Sequence, residues 1–198
     1  MSNDQGLLDH RLPTYSTQFI GREREITFLR QLMGGDSVAT NGPVAPGAQK
    51  DRLITLSGVG GCGKTRLALE VARGFAQLGD DDGSSFRDGV RWVDLASVTD
   101  PAELPQVVAA ALDLREAASL NPLQALVNEL DDQHILLIID NCEHLAAACQ
   151  RLVKVLIPTC PRVVILLTSR TPLHVADETI FAVPRAANGH TSTRMLRR

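Results

Sequence analysis

The sequence predicts an α/β fold, a three-layer sandwich around a mostly parallel sheet of five strands. Three observations predict it. Short runs apolar throughout recur along the chain, the composition of strands buried on both faces rather than the alternation of a half-solvated sheet. Segments with apolar residues at helical spacing separate them, the alternation that builds parallel sheets. The first run, Leu53-Ile54-Thr55-Leu56-Ser57, leads at once into a glycine-rich turn and then a helix.

Taken in order, residues 1–18 read as an irregular lead-in, polar and without a signal-peptide core. Ile26, Leu29 and Leu32 mark a short helix over residues 23–33. Residues 34–51 are rich in Gly, Ala, Pro and Ser without periodicity and are expected to form a flexible insertion. After the first strand a helix runs from Lys64 to about residue 78. Residues 80–85 are an acidic, solvated loop, and residues 90–95 the second strand. Asp100-Pro101 carries a helix start signal, Asp as N-cap and Pro in the first turn; Asn121-Pro122 repeats it. These helices should reach about residues 112 and 131, with Pro105 bending or shortening the first. Residues 134–140 are the most apolar strand. A helix follows over 145–156, stopped by Pro158, then strands over 163–169 and 179–183. The expected domain is 19–184, and residues 185–198, without a core pattern, are expected to be a disordered tail.

The turn after the first strand reads Gly58-Val59-Gly60-Gly61-Cys62-Gly63-Lys64-Thr65, a full match to G-x-x-x-x-G-K-[ST]. In such a P-loop the glycines let the backbone curl so that successive N–H groups point inward, and the next helix presents its positive end to the same point. Phosphate chemistry follows: Lys64 reaches the β and γ phosphates, and the Thr65 hydroxyl ligates Mg²⁺. Arg66 opens the helix beside them. Cys62 either fills a small-residue slot or is a redox-sensitive thiol beside the phosphates.

Four aliphatic residues ending in Asp140 form a Walker B pattern, which supplies the carboxylate such a site needs to hold Mg²⁺. Asn141, which follows, can orient water but cannot take its proton. Glu143 is the candidate base, or else an acid stabilising a helix N-terminus; His144 reads as a surface or capping residue. Arg170 ends the strand Leu167-Thr168-Ser169, where it can report the γ-phosphate.

Bulk properties set limits. The chain has 198 residues, 44% hydrophobic, enough for one α/β domain and short for two. A net charge of −3 gives no general affinity for nucleic acid or anionic membrane, and no apolar run is long enough to span a bilayer. The four cysteines form no C-x-x-C pair and no secreted-type framework, which fits a reduced, cytoplasmic protein.

The set Phe19-Ile20-Gly21-Arg22-Glu23, Gly58 to Thr65, Val90-Arg91-Trp92-Val93-Asp94-Leu95, Ile138-Ile139-Asp140-Asn141-Cys142-Glu143-His144-Leu145 and Leu167-Thr168-Ser169-Arg170 resembles the bacterial STAND-class signal-transduction ATPases. These are relatives of the NB-ARC and AAA+ ATPases, and many are large transcriptional regulators of the LuxR type. The resemblance, over about residues 17–184, implies a P-loop NTPase sheet of order 5-1-4-3-2 and an ATP/ADP switch dependent on Mg²⁺. Ile20, Gly21 and Arg22 would line the adenine pocket largely through backbone contacts. Gly58, Gly60, Gly61, Cys62, Gly63, Lys64, Thr65 and Arg66 would hold the phosphates. Thr65 and Asp140 would hold the metal, and Arg170 would be the sensor arginine. Family members continue into a helical lid, a winged-helix domain and an effector, so a truncated regulator with slow or no hydrolysis of its own is expected. Its partner would be nucleotide, with an effector or self-association in a full-length relative, and no membrane or direct nucleic-acid contact. A metabolic P-loop kinase would need an acceptor pocket and an Arg-rich lid, and a transporter ATPase an L-S-G-G-Q-like signature; neither is seen. A fragment without regulatory output is the remaining alternative.

Overall fold

A computed structural model describes residues 12–14, 19–34, 51–77, 86–114, 121–185 and 194–197. Residues 35–50 of the expected insertion, the acidic loop 80–85 and residues 186–193 of the tail lie outside them. The strands are β1 (Leu53–Ser57), β2 (Val90–Asp94), β3 (Leu136–Asp140), β4 (Val164–Ser169), β5 (Thr179–Ala182) and β6 (Arg194–Arg197). They form one sheet in the order β2-β3-β4-β1-β5-β6. The first five are parallel, in the expected order.

The sixth strand corrects the expectation of five strands and of a tail disordered throughout. Residues Arg194–Arg197 pair antiparallel with β5, Ile180 opposite Leu196 and Phe181 opposite Met195. What makes a strand of this short Arg-rich segment is the free hydrogen-bonding edge of β5, the strand before it in the chain.

The helices are α1 (Glu23–Leu32), α2 (Lys64–Ala76), α3 (Leu104–Ala111), α4 (Pro122–Leu130) and α5 (Ala146–Thr159). Successive side chains of a strand point to opposite faces, so a strand apolar throughout feeds two cores. Leu137, Ile139, Ile165 and Leu167 join the core under α3, α4 and α5. Leu136, Ile138, Val164 and Leu166 join the core under α1 and α2, with Leu67, Val71 and Phe75 of α2. No helix among the described residues is long and apolar enough to cross a membrane.

Local chemistry explains the ends of the helices. The Asp100 carboxylate accepts from Ala102 N at 2.8 Å and Asn121 Oδ1 from Gln124 N at 3.2 Å, both as N-caps. Pro101–Glu103 form a 3₁₀ turn before α3, and Pro105 falls in the first turn of α3, where its missing N–H would have had no helical partner. Pro158 does not stop α5, which runs on to Thr159. Arg52, just before β1, reaches the C-terminal end of α5, donating to Ile157 O at 2.7 Å and Cys160 O at 3.1 Å. A guanidinium there satisfies terminal carbonyls and suits the negative end of the helix dipole, so the last turn survives the proline.

Candidate functional site

Ser57, Asp94, Asp140 and Ser169 all close parallel strands, so the site gathers at the carboxyl ends of the sheet. Between β1 and α2 the loop Gly58 to Gly63 curls through left-handed backbone at Gly61 (φ 74°) and Gly63 (φ 92°), which glycine adopts without a Cβ penalty. At Gly58 the requirement is space: a Cβ there would stand 2.7 Å from the Val183 carbonyl oxygen and 3.0 Å from Cys62 Sγ. Gly63, as N-cap of α2, offers no side chain to the first-turn amides. Those N–H groups are left for an anionic ligand.

Lys64 is 9% exposed, and its Nζ donates to Gly58 O at 2.8 Å and Val59 O at 3.1 Å. The ammonium is thus held inside the loop by the loop's own carbonyls. Thr65 Oγ1 donates to Asp140 Oδ1 at 3.0 Å, and the Thr168 hydroxyl donates to the same oxygen. Burial pushes the Asp140 carboxyl above its ordinary range, and the nearby charge of Asp94 adds to this; hydrogen bonds from Thr168, Thr65 and Asn141 oppose it. A buried carboxylate that ionises at a cost, beside a hydroxyl, is the hard-oxygen donor set that Mg²⁺ takes. Glycine amides, Lys64 and this oxygen pair together fit a magnesium–nucleotide phosphate.

Asn141 sits in left-handed backbone (φ 63°), which Asn tolerates better than most residues. Its N–H donates to Thr168 Oγ1 at 3.0 Å. Its side-chain Nδ2 donates to Asp140 Oδ2 at 3.2 Å and Asp94 Oδ1 at 2.9 Å. Glu143, on the 3₁₀ turn Cys142–Leu145, accepts from Arg170 Nε at 3.0 Å. Arg170 has a largely exposed side chain, and its Nη2 lies 3.9 Å from where a Cβ on Gly60 would be. The predicted sensor arginine therefore stands over the loop, paired with the predicted base. His144 Nε2 lies 2.8 Å from Val98 O, a tie between loops.

Ile20 is exposed and Gly21 N donates to Glu23 Oε1 at 3.0 Å. Arg22, expected to act through its backbone, has a side-chain role as well. Its side chain is buried, and Nη2 donates to Cys62 O in the loop and to Pro184 O after β5, both at 2.9 Å. Its Nη1 is buried with no hydrogen-bond partner among the described residues. Arg66 pairs with Glu70 at 3.4 Å and stacks over Phe19 at 5.7 Å. Cys62 is buried, 4% exposed.

Sequence reasoning gave no role to Thr168 or Asp94. Both had a signal: Thr168 follows Leu167, the β4 partner of Ile139, and Asp94 is the β2 partner of Asp140, so each lies at the carboxyl end of a strand flanking β3.

Comparison with known proteins agrees with this geometry. The family model described as "AAA domain" matches residues 48–173. "Putative HTH-type transcriptional regulator Rv0890c" of Mycobacterium tuberculosis (strain H37Rv) is 38% identical over 135 residues, 68% of this chain and 14% of that protein. "Uncharacterized protein Rv0894" of the same organism is 34% identical over 178 residues, 89% of this chain and 39% of that protein. The chain thus spans less than half the length of either relative. Among solved structures, the Aeropyrum pernix ORC2 protein, determined as ADPNP-ADP complexes, superposes with a TM-score of 0.54 at 18% identity, covering 84% of this chain and 45% of that one; this likeness concerns the fold alone. With the family match covering more than half of its residues around a P-loop and a Walker B strand, the chain belongs to the AAA domain family.

Proposed function

We propose that this chain is the nucleotide-binding switch domain of a STAND-type regulatory ATPase, binding ATP or ADP with Mg²⁺ and hydrolysing slowly or not at all alone. The observation that carries this reading is the joint between the loop and the Walker B strand: Lys64 sits inside the loop while Thr65 is bonded to Asp140. Ligand phosphates would compete with the Gly58 and Val59 carbonyls for the Lys64 ammonium. Thr65 and Asp140 would hold Mg²⁺, which supplies screening of phosphate charge when bound. The relative named a transcriptional regulator supports a place in transcription control, within a longer protein; the compartment we assign is the cytoplasm. The unit assigned to this role is residues 19–184, with 34–51 as an insertion; its readout goes to an effector or a second copy.

A switch needs contacts that differ between its two nucleotide states. Arg170 is the discriminator we assign: without a γ-phosphate it pairs with Glu143, and with one it turns to the phosphate. Equilibrium titration of Arg170→Ala with Mg-ATP and Mg-ADP tests this. Affinity for Mg-ATP should fall about tenfold, ~1.4 kcal/mol, with Mg-ADP unchanged. An equal change for both nucleotides, or none, refutes the switch assignment.

A further inference from the structure

We propose that Asp94, at the end of β2, is the carboxylate that takes the proton from the water attacking the γ-phosphate. This rests on the reading of the site as an ATP site and adds the group that acts there. Three side chains around Asp140 are candidates for that role. Asn141 has no basic atom. Glu143 is paired with the Arg170 guanidinium at 3.0 Å when no nucleotide is present. Once Arg170 turns to a γ-phosphate, Glu143 has no fixed partner to orient it, and it is the competitor that the Glu143→Gln arm of the test separates. Asp94 closes β2 in register with Asp140, which closes β3.

The Asp94 carboxylate is exposed, yet it is fixed. Its Oδ1 accepts from Ala96 N at 2.9 Å and from Asn141 Nδ2 at 2.9 Å. The same Asn141 amide donates to Asp140 Oδ2 at 3.2 Å, and Asp140 Oδ1 accepts from Thr65. A continuous path of hydrogen bonds therefore runs from the helix after the P-loop to Asp94. Two donors on Oδ1 set the orientation of the carboxylate and leave Oδ2 without a donor among the described residues. A fixed acceptor beside Asp140, at the carboxyl ends of the strands, is what general-base activation of water needs. The left-handed turn at Asn141 belongs to the same device, since it places the amide between the two carboxylates. In the step, the water oxygen bonds to the γ-phosphorus. The bond from that phosphorus to the bridging oxygen breaks, with its electron pair leaving on ADP. The water proton passes to Asp94 Oδ2 and on to solvent. The reactants are ATP and water, the products ADP and phosphate.

The test uses the full chain with Mg-ATP in single-turnover hydrolysis and with Mg-ATP and Mg-ADP in equilibrium binding. Asp94→Asn keeps the bridge to Asn141 sterically but loses the base. It should lose about 10²-fold in hydrolysis, bind Mg-ADP like the wild type, and bind Mg-ATP several-fold more tightly because a negative charge beside the γ-phosphate is gone. The exchange Asp94→Asn with Asn141→Asp returns a carboxylate to the pair and should recover hydrolysis to within about tenfold of wild type. A purely structural bridge would leave the ATP-to-ADP affinity ratio unmoved. Wild-type hydrolysis in Asp94→Asn, a loss in Glu143→Gln that Asp94→Asn does not share, or no hydrolysis by the wild type would each overturn the proposal. Absence of nucleotide binding by the wild type would overturn the ATP-site reading itself.

Discussion

Arg22 is the sharpest point at which to perturb the site. Its guanidinium ties three separate segments, since it sits before α1 and donates to Cys62 O in the loop and Pro184 O after β5. Arg22→Ala removes two hydrogen bonds from a charged donor and leaves both carbonyls without it. Such bonds contribute about 1.5–3 kcal/mol each, offset in part because a buried charge is removed as well. A net loss of about 3 kcal/mol is the working figure, which for a chain of this length lowers the melting temperature by about 6–12 °C. Arg22→Lys keeps the charge but replaces the planar fork with a single ammonium, and should lie between the two. Calorimetric melts of the nucleotide-free protein measure the stability, and nucleotide titration should show affinity about tenfold weaker for Arg22→Ala as the loop loses its anchor. A drop of less than about 2 °C with unchanged affinity would refute the reasoning, because a guanidinium that ties loop to sheet cannot be removed at no cost.

Other outcomes follow from the same geometry. Gly58→Ala should cost about 1–3 kcal/mol in thermal melts, since its Cβ would stand 2.7 Å from a backbone oxygen. Gly60→Ala, whose nearest neighbour would be the tip of Arg170 at 3.9 Å, should leave the melting temperature within about 2 °C of wild type. Asp140 predicts a pH dependence. Its native carboxyl holds its proton more readily than the ordinary value of 3.8, so between 3.8 and the raised native value the native state binds more protons than the unfolded chain. Stability from this group is fully present below that window and falls as pH rises through it. Nucleotide-free Asp140→Asn should therefore melt above wild type at neutral pH, with the gap closing as pH is lowered toward 3.8. The same variant should lose the Mg²⁺ dependence of nucleotide binding; equal melting temperatures at neutral pH would contradict the burial cost assigned to Asp140.

Much of this was legible because the informative signals are local. The loop glycines, Lys64 and Thr65 form a contiguous motif between a strand and a helix, and the strand Leu136–Asp140 shows its burial on both faces by having no polar residue before its tip. The parallel direction of the first five strands followed from the α/β alternation, and their order from the family resemblance. What escaped depends on partners that a local window of sequence does not contain. The segment Arg194–Arg197 is a strand only because the edge of β5 is open to it. Pro158 reads as a helix stop until Arg52 is seen capping the carbonyls at that end. Arg22 and Asp94 carry ordinary sequence signals, and their roles appear only when Pro184 and Asn141 are brought beside them.

The central claim is that the loop around Lys64 holds the phosphates of a nucleotide. Isothermal calorimetry of Mg-ADP and Mg-ATP with wild type and Lys64→Ala tests it most directly. Binding by the wild type, weakened at least about tenfold (~1.4 kcal/mol) in the variant, is the predicted result. The same affinity in both proteins would contradict it.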